Sequence, residues 1–273
     1  MQHFEEKIVI NTEGASSHIA TLVAYIPGVQ EVQGQNHTRP AVLILPGGGY
    51  AYTSEREAEP VALQFAAQGI CAFVLHYSPA PARFPQSLCE ALTAIGYIRA
   101  HAHKWKIDKE QINVCGFSAG GHLGASVGVF WNCPFLDPYI GTNRENVKPN
   151  KLILCYPVIT SGEFTHQGSM DSLLGDNKKA DLLELVSLEK QVTKDVPPSF
   201  IWHTYEDQAV PVQNTLLFAS ALVKEDIPVE LHIYRRGGHG LSLGNHLVKA
   251  DTQYGETHMS SDWIHKAIRF IFD

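Results

Sequence analysis

The sequence lacks any long apolar run and any cluster of positive charge. No stretch approaches the ~20 consecutive apolar residues that cross a bilayer. The opening Met1-Gln2-His3-Phe4-Glu5-Glu6-Lys7 has neither the positive stretch nor the apolar run of a secretory signal. No membrane partner is therefore expected, and the expected location is cytoplasmic. The formal charge is −7, and the nearest thing to a basic cluster, Lys178-Lys179, is diluted by Asp176 and Asp181, which argues against nucleic acid as a partner. Cysteine is scarce: Cys71, Cys89, Cys115, Cys133 and Cys155 are odd in number and include no C-x-x-C pair, so they read as reduced, mostly buried thiols. Fourteen histidines are present, yet no H-E-x-x-H or similar ligand spacing occurs; His101 and His103, two apart on a helical segment, point to different faces. No metal is expected.

What is present is the balance of a soluble globular chain, with 44% hydrophobic and 18% charged residues in 273. That length suits one α/β domain spanning residues 1–273. β-branched runs alternate with segments of helical period, which predicts a mostly parallel sheet of about eight strands flanked by helices. The strands are expected at residues 6–10, 18–26, 41–45, 70–75, 112–115, 152–155, 199–204 and 229–234. Helices are expected near 57–68, 86–105, 121–129, 212–224 and 260–272. In the last of these Trp263, Ile264, Ala267, Ile268 and Ile271 form a stripe that packs on the sheet. Residues 158–196 break the alternation. This connection, with a short helix near 179–186, is far longer than the usual few residues and reads as a small cap insertion over the site.

The pentapeptide Gly116-Phe117-Ser118-Ala119-Gly120 matches G-x-S-x-G, a pattern that residue frequencies alone produce in roughly one chain in ten of this length. Its context carries more weight. A buried strand ends immediately before it and a helix can begin immediately after, as the sharp turn that exposes a nucleophilic serine requires. A serine hydroxyl needs a base to take its proton and an acid to orient that base. Both should lie on loops past the C-terminal ends of later strands. The first such loop offers Glu206 and Asp207; Asp207 is preferred because Ala209-Val210-Pro211 leads straight into a helix. The second offers His239 within Gly237-Gly238-His239-Gly240, preferred over His122, His232 and His246 for its mobile glycine setting. An oxyanion hole should follow the strand at 41–45, where Pro46-Gly47-Gly48-Gly49-Tyr50 frees backbone N–H groups; Gly48, Gly49 and Ala119 are the expected donors. A phosphate-binding reading of these glycines fails, because neither G-x-x-x-x-G-K-[ST] nor the acid of a dinucleotide fingerprint is in place. Tyr50 and Tyr52 are candidate walls for a sugar or acyl group. Arg56 and Arg83 either contact a polar substrate or tie their loops together, the second being the simpler role.

With these residues placed, the chain resembles the bacterial esterase-lipase branch of the α/β-hydrolases, acetyl-xylan-esterase-like or feruloyl-esterase-like. The matching stretches are residues 46–50, 56–62, 77–85, 115–123, 184–193, 197–211 and 237–243, in order along nearly the whole chain. The resemblance implies an α/β-hydrolase fold and cofactor-free hydrolysis of small carboxylic esters, with acetylated sugars among the candidate substrates. It places the triad on Ser118, Asp207 and His239. Pro46 departs from wider relatives, which carry histidine before the glycines, and leaves open how this loop is braced. A peptidase or amidase of the same fold and a catalytically silent binding protein are the rival readings. Homo-oligomer formation is left open.

Overall fold

The computed structural model describes residues 1–10, 19–28, 38–141, 143–248 and 257–273. One sheet contains eight described strands: β1 Gln2–Ile8, β2 Ala20–Ile26, β3 Arg39–Leu45, β4 Cys71–His76, β5 Ile107–Phe117, β6 Leu152–Cys155, β7 Ser199–Thr204 and β8 Val229–Tyr234. Their order across the sheet is β1-β2-β4-β3-β5-β6-β7-β8. The β1/β2 and β2/β4 pairs are antiparallel, and all later neighbours are parallel. Helices cover the parallel part on both faces, so strands such as β3, β4 and β7 are apolar at consecutive positions and almost wholly buried.

The helices are α1 Glu59–Ala67, α2 Gln86–Ala100, α3 Ala102–Trp105, α4 Ala119–Phe130, α5 Asp137–Ile140, α6 Gln167–Leu174, α7 Ala180–Leu185, α8 Gln213–Lys224 and α9 Trp263–Phe272. Apolar residues of α2, α4 and α8 pack in the core on one face of the sheet. On the other face α1 and α9 enclose an aromatic core of Phe117, Tyr156, Phe200, Trp202 and Trp263. The α9 stripe is as expected, with Trp263, Ile264, Ala267 and Ile271 buried and Ile268 partly so. Four cysteines are buried and free, and Cys133 is partly buried.

Four expectations need correction. The first strand begins at Gln2 and ends at Ile8, because its pairing with β2 keeps register over all seven residues. The second begins no earlier than Ala20 in the described residues; the sequence reads as a turn at Asn11-Thr12-Glu13-Gly14 and a polar loop over 28–39, and the turn and most of the loop lie outside them. The helix expected over 86–105 breaks at His101, and Lys106, in left-handed backbone at φ 55°, turns the chain into β5. In the segment 158–196 the short helix is present as α7, and α6 precedes it where none was expected.

Candidate active site

The elbow is built by the junction of β5 and α4. Ser118 ends the strand and precedes the helix with φ 53° and ψ −117°, a conformation that is strained by about 1–3 kcal/mol in a non-glycine residue. Its neighbours hold it there: Ser118 N–H donates to Cys155 O at 3.0 Å, and Ser118 O accepts from His122 and Val158 N–H. The flanking glycines answer a steric demand. A Cβ on Gly116 would sit 2.2 Å from Gly120 O, and one on Gly120 would sit 2.1 Å from Leu45 O.

The later strands bring the partners to this serine. Ser118 Oγ is 2.7 Å from His239 Nε2, and His239 Nδ1 is 2.6 Å from Asp207 Oδ2. Nδ1 faces a carboxylate and so carries the proton, which leaves Nε2 as the acceptor for the serine hydroxyl. Asp207 is buried beyond β7. Its Oδ1 accepts from the N–H groups of Ala209 and Val210, and Oδ2 also accepts from His203 Nε2 at 3.2 Å. Burial alone pushes this carboxyl's pKa up, but the hydrogen bonds from His203 and His239, the His239 charge and the Val210 N–H together hold it well below the usual carboxylate range. It is a fixed negative charge at any working pH. Glu206, the competing acid, instead accepts from Gly237 N–H and lies outside this chain of bonds.

Gly48 and Gly49 line the same cleft as Ser118, with φ of 125° and 62° that a side chain adopts rarely. Among the described residues no acceptor stands against the N–H groups of Gly48, Gly49 or Ala119. These are the three donors that the sequence expects at an oxyanion hole. Gly47 N–H, by contrast, is taken by the Glu57 carboxylate at 2.8 Å. The brace that Pro46 left open is therefore visible: Tyr77 OH donates to Pro46 O, and Glu57 holds the next N–H.

The cleft has a volume of about 510 Å³, and Tyr52, Arg56, His166 and Ser172 line it together with Gly48, Gly49, Ser118 and His239. Tyr52 and Arg56 both line the cleft. Arg56 also ties loops, donating from Nε to Val248 O at 3.0 Å and from Nη2 to Gly240 O at 2.8 Å. Neither Tyr50 nor Arg83 lines the cleft, which corrects the wall role given to Tyr50 and leaves Arg83 with the loop tie that was its simpler reading. Tyr50 is buried, and its hydroxyl donates to His122 Nδ1 at 2.9 Å; His122 Nε2 must then carry the proton that it gives to Val186 O. Arg83 reaches Ser172 O on α6 at 2.5 Å, tying the loop at 77–85 to the segment 158–196. Two further histidines matter. His203, fully buried at the end of β7, was legible only as a polar residue in an apolar strand. His166 precedes α6, accepts from Ser169 N–H through Nδ1, and lines the cleft; burial, then the His239 charge, lower its pKa. Among the described residues no cluster of three or more His, Cys, Asp or Glu side chains is placed to hold a metal ion, and no helix is long and apolar enough to cross a membrane.

A serine on a strained elbow, an oriented imidazole and unpaired N–H donors form an arrangement suited to attack on a carbonyl. The BD-FAE family model matches residues 25–222, well over half of the chain. The chain belongs to the BD-FAE family. Among solved structures it superposes with a TM-score of 0.82 on an acetyl ester-xyloside bifunctional hydrolase from Caldicellulosiruptor lactoaceticus, at 36% identity over 96% of this chain and 90% of that one. A carboxylesterase from Lactobacillus plantarum superposes at 0.83, with 26% identity over 100% and 97% of the two chains. These neighbours share the α/β-hydrolase fold described above. Among curated proteins, endo-1,4-beta-xylanase B of Butyrivibrio fibrisolvens is 37% identical over 86% of this chain, and an acetylxylan esterase of Xylanibacter ruminicola is 29% identical over 82%. The chain spans 36% and 44% of the lengths of those two relatives.

Proposed function

We propose that this BD-FAE family member is a carboxylic ester hydrolase that works through a Ser118–His239–Asp207 triad and an acyl-enzyme. The observation that carries the reading is the unbroken hydrogen-bond chain from Ser118 Oγ through His239 to Asp207, set beside the unpaired N–H groups of Gly48, Gly49 and Ala119. His239 Nε2 takes the hydroxyl proton as Ser118 Oγ bonds to the ester carbonyl carbon, and the three N–H groups receive the oxyanion. The C–O bond to the alcohol then breaks, and His239 returns its proton to the departing oxygen. Water, deprotonated by the same imidazole, attacks the acyl-enzyme; the acid leaves and Ser118 recovers its proton. Asp207, held ionised, stabilises the imidazolium in both halves.

The substrate reading is a short acyl ester of a hydroxylated alcohol, with acetylated xylo-oligosaccharides as the leading class. The cleft supports it, since Ser54, Arg56, His166 and Ser172 offer polar groups around Ser118. The names of the acetylxylan esterase and acetyl ester-xyloside hydrolase relatives point the same way. The test has two arms. Ser118→Ala should reduce hydrolysis of p-nitrophenyl acetate by at least about 10⁴-fold and abolish labelling by a fluorophosphonate; wild-type turnover in that variant sinks the mechanism. Purified enzyme should release acetate from acetylated xylo-oligosaccharides, and fast cleavage of aryl acetates with no release from the sugars sinks the substrate class.

A further inference from the structure

The oxyanion loop and the histidine loop come from distant parts of the chain, and one buried acid stands between them. Glu57 is 4% exposed, yet it reaches the wall of the cleft. Its Oε2 accepts from Gly47 N–H at 2.8 Å, and its Oε1 accepts from Tyr156 OH at 2.6 Å. Tyr156 in turn accepts from Ser242 N–H at 2.9 Å and sets its ring edge-on to His239, with centroids 5.1 Å apart. Both Tyr156, at φ 38°, and Ser242, at φ 52°, hold left-handed backbone, and these bonds fix them in it. The preceding residue makes a parallel tie: Arg56 donates to Gly240 O and Val248 O, while its own carbonyl accepts from Ser242 Oγ at 2.5 Å.

We propose that Glu57 is a positioning residue for ester hydrolysis: its carboxylate spans from Gly47 to Tyr156 and through Tyr156 to the loop carrying His239, so that the oxyanion donors and the imidazole are held in one geometry around Ser118. This rests on the triad reading above. The carboxylate also supplies a second negative charge, besides Asp207, near the imidazolium that forms during turnover. The groups facing it are Gly47 N–H from the oxyanion loop, Tyr156 and Cys155 from the end of β6, Tyr77 from beyond β4, the adjacent Arg56, and His239. Burial raises the Glu57 pKa, while Tyr156, Gly47 and the charges of His239 and Arg56 pull it back down.

Glu57→Gln separates these roles from mere space filling, because the shape is kept and the charge is lost. An amide offers one acceptor and one NH₂, so either Gly47 N–H or Tyr156 OH must now face a donor. We expect kcat on p-nitrophenyl acetate to fall about 10–100-fold with KM changed less than about threefold. The acid limb of the kcat/KM profile should move down by roughly 0.5–1 pH unit, since the imidazolium has lost a nearby negative charge. A Glu57→Gln enzyme with wild-type kcat, or with reduced kcat and an unmoved acid limb, overturns the assignment. Should that variant not fold by circular dichroism, Tyr156→Phe carries the test: it breaks the strut and keeps the charge, and a wild-type kcat there overturns the proposal equally. Wild-type hydrolysis and fluorophosphonate labelling are measured alongside. Active wild type with unaffected variants refutes the Glu57 role alone, whereas wild type that cleaves no ester and takes no label refutes the triad reading with it.

Discussion

A Cβ on Gly120 would stand 2.1 Å from Leu45 O and 2.4 Å from Pro46 O, and both obstacles are backbone atoms with nowhere to go. The helix start at Ala119 can sit so close to the end of β3 only because this residue has no side chain. Gly120→Ala should therefore push the elbow away from the loop that begins at Pro46 and destabilise the fold by about 3 kcal/mol. The check is urea unfolding of the purified variant alongside wild type; an unchanged midpoint contradicts the argument. The same scale explains why Ser118 was readable from a five-residue pattern while Glu57 was not. The pattern Gly-x-Ser-x-Gly records a steric demand of the turn itself. Glu57 sits in the run Ser54-Glu55-Arg56-Glu57-Ala58-Glu59, where nothing sets it apart from the neighbouring charges, and only its partners Gly47 and Tyr156, distant in sequence, make it a buried strut.

At the scale of elements, strands buried on both faces announce themselves as apolar runs, and β3, β4, β6 and β7 fell close to where the sequence put them. The outer β1, with exposed residues along most of its length, carried little pattern and was misplaced. Helix α6 was missed for a related reason: Gln167-Gly168-Ser169-Met170-Asp171-Ser172 contains a glycine and two serines, poor helix formers, and the helix is held by its surroundings. His166 caps it, Arg83 binds Ser172 O, and Phe84 N–H donates to Leu173 O. The cap thus gives His166 two duties, since Nδ1 serves the helix and the Nε2 edge belongs to a ring that lines the cleft. His166→Asn keeps an acceptor for Ser169 N–H and removes the Nε2 donor. We expect kcat/KM on acetylated xylo-oligosaccharides to drop about 3–10-fold, the worth of one hydrogen bond, with phenyl acetate changed less than twofold. Equal losses on both esters would assign His166 to the cap alone.

For the molecule as a whole, acid should unfold this protein in an order that its buried groups dictate. His122 is fully buried between Tyr50 OH and Val186 O, and burial lowers its pKa from 6.5 to about 4, partly opposed by the bond to Val186. The folded chain therefore refuses a proton that the unfolded chain accepts. The stability this confers is complete above pH 6.5 and is lost as pH falls towards about 4, a difference on the order of 3 kcal/mol. Glu57 works in the opposite sense, because its raised pKa makes the folded chain the better proton binder and offsets part of that loss. Asp207 joins last: its depressed pKa contributes stability above 3.8 that disappears only at lower pH. Comparing wild type with His122→Gln cancels the Glu57 and Asp207 contributions. Gln at 122 leaves bonds to Tyr50 and Val186 imperfect, so the variant should be less stable at pH 7. Gln does not titrate, however, and the gap between the two proteins in urea unfolding should narrow by about 3 kcal/mol from pH 7 to pH 4. A gap that stays constant over that range would mean that His122 is protonated as readily in the fold as outside it, and the account of the tie from Tyr50 through His122 to Val186 would fail.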